Sequence, residues 1–380
     1  MGLMSDNFCP APWISLFYQN NKASMCCVDT NQVRMSPIEF RNSKYLSDIK
    51  EQFLNGEKPK NCSFCWKSEE QGLQSIRQHY NKRYPNFVVG DDMPLRYIEL
   101  RASDTCNMGC RMCNTKNSSK LNREVSDNPH LSSWFGKIEE DTEINDENWK
   151  EILATGETLD ALFMTGGEPM LIKKYYELMD FLIDIGTSSK INLHIYTNAS
   201  VYNPIFIDKM LKFKSVTLNL SIDGVEEMAE YQRYGVEWKT IQSNIERFLL
   251  LPVRVSFHTT ITAYNLLDLS SLAKFYNDIL KRYPGVNFKA HVAGGKIPMH
   301  YLNLPEKYRT KAIEEIIESV KVMIHPKFSQ INDQLVSIVK MFQENTGDYE
   351  LFIKATEEMD LARGQSFKLL NGIENDTNCC

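Results

Sequence analysis

Between residues 114 and 378 the chain has no cysteine, although it holds ten in all. Cysteines used only to pack a core would be scattered, so their confinement to other stretches points to ligand duty. Long apolar runs are missing too: none approaches the roughly 18 residues of a membrane span, and no basic-then-apolar leader opens the chain. Positive charge is in deficit, with 43 Lys and Arg against 49 Asp and Glu and a net charge of -6. That argues against nucleic acid or an anionic membrane as the main partner, short of a local basic patch. Internal repeats and low-complexity tracts are absent. What remains is the composition of a soluble, cytoplasmic protein, 42% hydrophobic and 24% charged. At 380 residues it is long enough for a large core and for more than one domain.

Without an export signal, ten cysteines favour metal binding over disulfides. Cys9, Cys26, Cys27, Cys62 and Cys65 fall in the first 65 residues, Cys106, Cys110 and Cys113 sit together, and Cys379 and Cys380 end the chain. The last two lie in a polar tail, "NGIENDTNCC", which reads as frayed and without function.

From about residue 95, short apolar runs alternate with amphipathic stretches. The strand candidates are 95–101, 159–165, 191–197, 215–222, 253–262 and 286–293, rich in β-branched and aromatic residues and bounded by turn formers. Between them, 172–186 repeats apolar residues at helical spacing and stops at Gly186. The stretch 240–251 places Ile241, Ile245, Phe248 and Leu249 on one face and ends before Pro252, and 268–280 opens with Asp268 in N-cap position. Six strand–helix alternations predict parallel βαβ units and an open six-stranded α/β barrel. Its site would lie in the loops at the strand C-terminal ends.

Residues 1–90 differ. "ISLFY" with the polar "QNNK" predicts a small hairpin, and 45–59 predicts a helix stopped by Gly56 and Pro59 that delivers the chain to "CSFC". So small a segment is expected to bury little apolar surface and to gain from a metal staple. Residues 84–94 read as a linker, and 305–380 as helices ending in the polar tail.

"SDTCNMGCRMC" places three cysteines within eight positions, directly after the first barrel strand. A [4Fe–4S] cluster takes one ligand per iron, so three thiolates leave one iron open. A zinc site lacking its fourth ligand, or plain packing, would use the same residues. "TGGEP" follows the second strand and opens the next helix. There Gly166 and Gly167 allow close backbone approach to a ligand, Glu168 offers an acceptor for an ammonium, and Pro169 suits a first helical turn.

"CNMGCRMC" together with "TGGEP", "IYTNAS" and "NLSIDG" at successive strand ends resembles the radical S-adenosylmethionine (radical SAM) enzymes over about residues 95–295. Met112 stands where an aromatic residue often precedes the last cysteine. The N-terminal region resembles the superfamily's twitch module, a shortened relative of SPASM domains, here preceding the barrel. Cys9, Cys26 and the "CxxC" of Cys62 and Cys65 match its signature, and "CWKSEEQGLQSIRQ" resembles the same subgroup. The implied fold is a partial (β/α)6 radical SAM barrel over 91–300, with a metal-binding module over 1–90 and a helical extension over 301–380.

The resemblance implies that Cys106, Cys110 and Cys113 ligate a [4Fe–4S] cluster whose open iron is chelated by the methionine group of SAM. Reductive cleavage would give a 5′-deoxyadenosyl radical that abstracts hydrogen from substrate. It also implies that Gly166, Gly167 and Glu168 line the methionine amino group, that Asn198 and Ser221 meet the ribose or carboxylate, and that Arg233 neutralises the carboxylate. A solvated helical position is the plainer reading of Arg233.

Cys9, Cys26, Cys62 and Cys65 count to four, enough for tetrahedral zinc or an auxiliary [4Fe–4S] cluster, and spacing leaves both open. The resemblance favours the cluster. Cys27 either replaces Cys26 or packs, since adjacent strand residues point to opposite faces. His258 and His291 lie on the fifth and sixth strands, and with Tyr196 and Glu99 they are candidates for substrate contact. The plainer reading is a satisfied core histidine. The expected activity is radical chemistry on a peptide or small metabolite, with the auxiliary cluster assisting oxidation or bond formation and an external one-electron reductant such as flavodoxin or ferredoxin. An epimerase or isomerase, or a non-catalytic zinc or iron–sulfur protein, would share most of these features. No separate peptide-leader module is apparent.

Overall fold

The computed structural model describes residues 5–70, 74–90, 93–294, 297–345 and 347–370. Cys379 and Cys380 lie outside the described residues. The fold is α/β, built on a mostly parallel sheet of eight strands. These are β1 (Ser15–Gln19), β2 (Lys22–Ser24), β3 (Tyr97–Arg101), β4 (Ala161–Thr165), β5 (Asn192–Thr197), β6 (Ser215–Ser221), β7 (Arg254–Ile261) and β8 (Asn287–Val292). All six strand candidates of the barrel segment are present, each trimmed by one or two residues. The chain forms two compact units: 1–104 with 140–195 and 204–216, and 105–139 with 196–203 and 217–380. No helix among the described residues is long and apolar enough to cross a membrane.

In the first unit, β1 and β2 form the expected hairpin, turned by Asn20 and Asn21 at φ 50 and 54. Two successive residues with positive φ make the turn that matches strand twist, and asparagine tolerates that conformation. The hairpin does not stand apart, however. β1 runs parallel to β3 in register from Ser15 opposite Tyr97 to Gln19 opposite Arg101, and β3 pairs in parallel with β4. Residues 1–90 therefore share the core of the sheet, and the expectation of a poorly buried segment is corrected. Leu16, Phe17, Tyr18, Phe40 and Phe53 are all almost fully buried. Each such side chain contributes roughly 1.5–3 kcal/mol relative to an exposed one.

The helix Lys173–Asp184 covers this part of the sheet with Tyr175, Leu178, Met179 and Leu182, and the chain turns at Gly186 with φ 74. The Tyr175 hydroxyl lies 2.7 Å from the carbonyl oxygens of both Leu100 and Thr165. It thereby fixes the C-terminal ends of β3 and β4, where the glycine-rich turn begins.

In the second unit, β6, β7 and β8 pair in parallel, with Ser221 opposite His258 and Lys289 opposite His258 on the other side. The helix Trp238–Leu249 buries Ile241, Ile245 and Phe248 as its spacing predicts, while Leu249 is half-buried. Leu269–Arg282 begins after Asp268, whose carboxylate accepts from the Ser271 hydroxyl at 2.6 Å and caps no backbone N–H. The nearby hydroxyl competes with the helix terminus for the same oxygen. The C-terminal helices are Glu306–Val322, Ser329–Glu344, Tyr349–Arg363 and Phe367–Leu370.

Candidate functional site

The three-cysteine loop belongs to the second unit and is pinned from several sides. Gly109–Cys110 forms a two-residue antiparallel ribbon with Arg233–Tyr234. The Cys106 N–H donates to Ser119 Oγ at 3.1 Å, Ser118 Oγ donates to the Met108 carbonyl at 2.7 Å, and the Arg111 N–H donates to the Gln232 carbonyl at 2.9 Å. The Arg111 side chain is fully buried. Its Nη2 lies 2.5 Å from Asp360 Oδ1 and 2.9 Å from Gln365 Oε1, and its guanidinium stacks 3.7 Å from the centre of the Tyr231 ring. Beside it, Arg363 makes a two-pronged pair with Glu124 at 2.6 and 2.9 Å. The helix Tyr349–Arg363 thus anchors the loop that carries the sulfurs.

Two of the sulfurs receive N–H donors: Asn198 Nδ2 lies 3.8 Å from Cys106 Sγ, and Arg233 Nη1 lies 3.8 Å from Cys110 Sγ. Burial pushes the Cys110 thiol up, and the Arg233 charge opposes this. Arg233 is not on a solvated helix, which corrects the plainer reading. It is buried at the end of helix Glu226–Gln232, with Nη2 2.6 Å from the fully buried Asp223. Its Nε is buried without a partner. Asn198 is further held by Asn107 at 3.2 Å and accepts from the Ser200 N–H at 2.9 Å. Ser221 ends β6 half-buried.

In the first unit, Gly166 takes φ 81, and a Cβ there would sit 3.0–3.1 Å from Arg101 Cβ, Arg101 Cα and the Ser103 carbonyl oxygen. Turn conformation and close approach of β3 both require glycine. Gly167 follows half-buried. Glu168 is fully buried and accepts from the Met170 N–H at 3.2 Å, capping the short helix Pro169–Leu171.

The same unit holds a small pocket lined by Cys9, Cys26, Cys62 and Cys65, with Met25, Phe53 and Tyr80 among its walls. Cys27 does not line it; its thiol donates instead to Glu99, and burial pushes that thiol well up. Adjacent cysteines therefore serve different surroundings, although neither lies in a strand as expected: β2 ends at Ser24, with Cys26 in a bend and Cys27 in a turn. Burial also raises the four pocket thiols, Cys9 to about 12. Arg77 ties the pocket's margins together, pairing with Glu69 at 2.7 Å and donating to the carbonyls of Asp6 and Phe8 at 2.8 and 2.9 Å.

The Radical SAM superfamily model matches residues 100–276. These residues form a radical SAM domain. Among solved structures, native anSMEcpe with bound AdoMet is similar, at 17% identity and TM-score 0.43, covering 59% of this chain and 60% of that one. Streptococcus suis SuiB bound to precursor peptide SuiA matches at 14% identity and TM-score 0.37, covering 72% and 64%. TYW1 with a lysine-pyruvate adduct matches at 15% identity and TM-score 0.32, covering 67% and 72%. The chain spans about 60% of the length of the first of these. A comparison with curated proteins finds no match.

The donor sets are of the thiolate kind that iron–sulfur clusters take. Four thiols around a pocket, and three thiols on one loop with N–H donors aimed at their sulfurs, suit polynuclear clusters, whose potential such donors tune.

The sequence singled out the cysteines, Gly166, Glu168, Asn198 and Arg233. It missed Asp223, Arg111 and Asp360. Asp223 was visible as the acid in "NLSIDG" and Arg111 as the charge inside the cysteine motif. Asp360 gave no local signal. His258 is buried with Nε2 unpartnered, so it is not the satisfied core histidine of the plainer reading. Tyr196 packs edge-on against it at 5.4 Å, and His291 lies 5.8 Å away.

Proposed function

We propose that this enzyme performs radical chemistry on a peptide or a small metabolite, with an auxiliary [4Fe–4S] cluster assisting oxidation or bond formation. The observation that carries the reading is the contrast between the two sulfur sets. Four cysteines line one pocket in the first unit, whereas the loop of the second presents three. Four ligands close a cluster; three leave an iron for an exchangeable ligand.

In this reading Cys106, Cys110 and Cys113 hold the SAM cluster, and Cys9, Cys26, Cys62 and Cys65 hold the auxiliary one. Gly166, Gly167 and Glu168 line the SAM amino group, Asn198 and Ser221 lie toward the ribose or carboxylate, and Arg233 toward the carboxylate. When bound, the cluster and SAM together supply the reductive formation of a 5′-deoxyadenosyl radical. The chain's own residues do the rest. Asn198 and Arg233 donate to sulfurs and so stabilise their anionic form, and Asp223 keeps Arg233 oriented. The Arg111–Asp360 and Arg363–Glu124 pairs hold the loop in one conformation. Residues 1–90 serve as the auxiliary module, 91–300 as the catalytic barrel and 301–380 as the extension. The electron comes from a flavodoxin- or ferredoxin-like donor in the cytoplasm.

The second reading is an epimerase or isomerase with a structural or relay auxiliary cluster. Half-buried Cys27 against Glu99 favours keeping it, because a thiol outside the cluster pocket is available for hydrogen transfer. Anaerobic turnover of candidate substrates, followed by mass spectrometry, separates the two. Oxidation or bond formation removes two hydrogens from the substrate. Epimerisation leaves the mass unchanged in water and adds one deuteron in D₂O. Absence of 5′-deoxyadenosine from the reconstituted, reduced protein would overturn both.

A further inference from the structure

We propose that the face of the sheet bearing Ser256, His258 and Lys289 binds a carboxylate group of the substrate. The inference rests on the reading above, that this enzyme carries out radical chemistry on a bound substrate, and assigns that substrate a chemical class.

The two faces of β7 differ in kind. Phe257 packs on Tyr276 of helix Leu269–Arg282 with ring centres 5.3 Å apart, and Thr259 Oγ1 lies 2.7 Å from the Tyr276 hydroxyl. Ser256 and His258 alternate with these residues and face the opposite way. Ser256 is 4% and His258 9% exposed, yet Ser256 Oγ and His258 Nε2 have no hydrogen-bond partner among the described residues. An unmade bond at a buried polar atom costs about 1–3 kcal/mol, so two on one strand face call for a partner from outside the chain. On β8, Phe288 stacks on Phe257, which places Lys289 and His291 on the Ser256 face, Lys289 directly opposite His258.

The charge on this face selects the ligand. Lys289 is exposed and has no ion-pair partner among the described residues. Asp223, the carboxylate near this end of β7, is already engaged by Arg233 and by the Thr260 N–H at 2.6 Å. Burial, with Lys289 and His291 beside it, holds His258 neutral down to about pH 3. One unpaired ammonium, one hydroxyl and one neutral imidazole match a single negative charge with two oxygens. A phosphate would call for more cationic neighbours or a helix N-terminus.

The test uses the reconstituted, oxidised enzyme with histidine isotope labelling, the His258 resonance being assigned by its loss in His258→Gln. The probes are N-acetylglycine and its neutral counterpart N-acetylglycinamide. N-acetylglycine should shift the His258 signal saturably and bind about tenfold or more tighter than the amide, and Lys289→Gln should remove that preference while leaving amide binding unchanged. Lys289 is exposed, so this variant should fold. Equal binding of acid and amide, an unaltered acid preference in Lys289→Gln, or no shift with either probe would each overturn the proposal. None of these readings needs reductant or SAM. Failure of the wild type to form 5′-deoxyadenosine would instead strike the functional reading, so the two failures are distinguishable.

Discussion

Replacing Asp360 should damage a cysteine motif that lies 249 residues earlier in the chain. The Arg111 guanidinium is fully buried, and Asp360, 13% exposed, supplies its countercharge at 2.5 Å. Asp360 also accepts from the Tyr231 hydroxyl and from the Phe367 N–H, both at 2.8 Å. Asp360→Ala leaves a buried cation with the Tyr231 carbonyl, Gln365 and the Tyr231 and Tyr264 rings but no countercharge in contact. Removing one partner of a buried pair costs about 3–5 kcal/mol, much of it the stranded charge. Asp360→Asn keeps an acceptor and should cost less, about 1–3 kcal/mol. The control is the exposed pair of Arg282 with Glu246, 41% and 38% exposed, where Glu246→Ala should cost about 0.2–1 kcal/mol. Denaturant titration of the anaerobic protein gives the stability. Iron content and the EPR spectrum of the reduced cluster, with and without SAM, report on the loop itself. Iron should be lost in the order Ala, then Asn, then wild type. If Asp360→Ala matches Glu246→Ala in stability and retains wild-type iron and spectrum, the helix Tyr349–Arg363 does not hold the loop.

Three further outcomes are expected. Gly166→Ala, with φ 81 and contacts at 3.0–3.1 Å, should lose more stability than Gly186→Ala, with φ 74 and nothing within 4 Å; the conformational cost alone is about 1–2 kcal/mol. Equal drops in melting temperature would mean the close approach to β3 costs nothing. Cys26→Ser should lose iron from the first unit while Cys27→Ser keeps it, since only Cys26 lines the pocket; the reverse pattern in iron analysis would exchange their roles. His258 has a folded pKa of about 3, below its unfolded value, so its contribution is complete above pH 6.5 and is lost as pH falls toward 3. The wild type should lose about 2 kcal/mol through this group between pH 6.5 and about pH 5. His258→Phe should be spared that loss, and identical pH slopes in chemical denaturation would refute it.

The strands of the barrel segment were legible because each combines β-branched and aromatic residues with bounding turn formers. The hairpin was legible because Asn20 and Asn21 suit a turn with two positive φ values. The pairing of β1 with β3 was not, since no local signal names a partner some eighty residues away. The choice between Cys26 and Cys27 required the direction of each side chain, which sequence order leaves open. Asp268 was correctly placed at a helix start, but Ser271 three residues on captured its oxygen. Arg111 could be seen as a charge in the motif, and its burial could not. A buried arginine needs an acid, and nothing near Asp360 in the sequence identifies it as that acid.

The central claim is that one chain carries an open cluster and a closed one, on Cys106, Cys110 and Cys113 and on Cys9, Cys26, Cys62 and Cys65. Iron and acid-labile sulfide, measured after anaerobic reconstitution, test it most directly. The wild type should hold about eight irons and eight sulfides per chain, and the variant with Cys106, Cys110 and Cys113 all changed to Ala about four of each, with SAM cleavage abolished. Four irons in the wild type, with zinc in the cysteine pocket of the first unit, would contradict it.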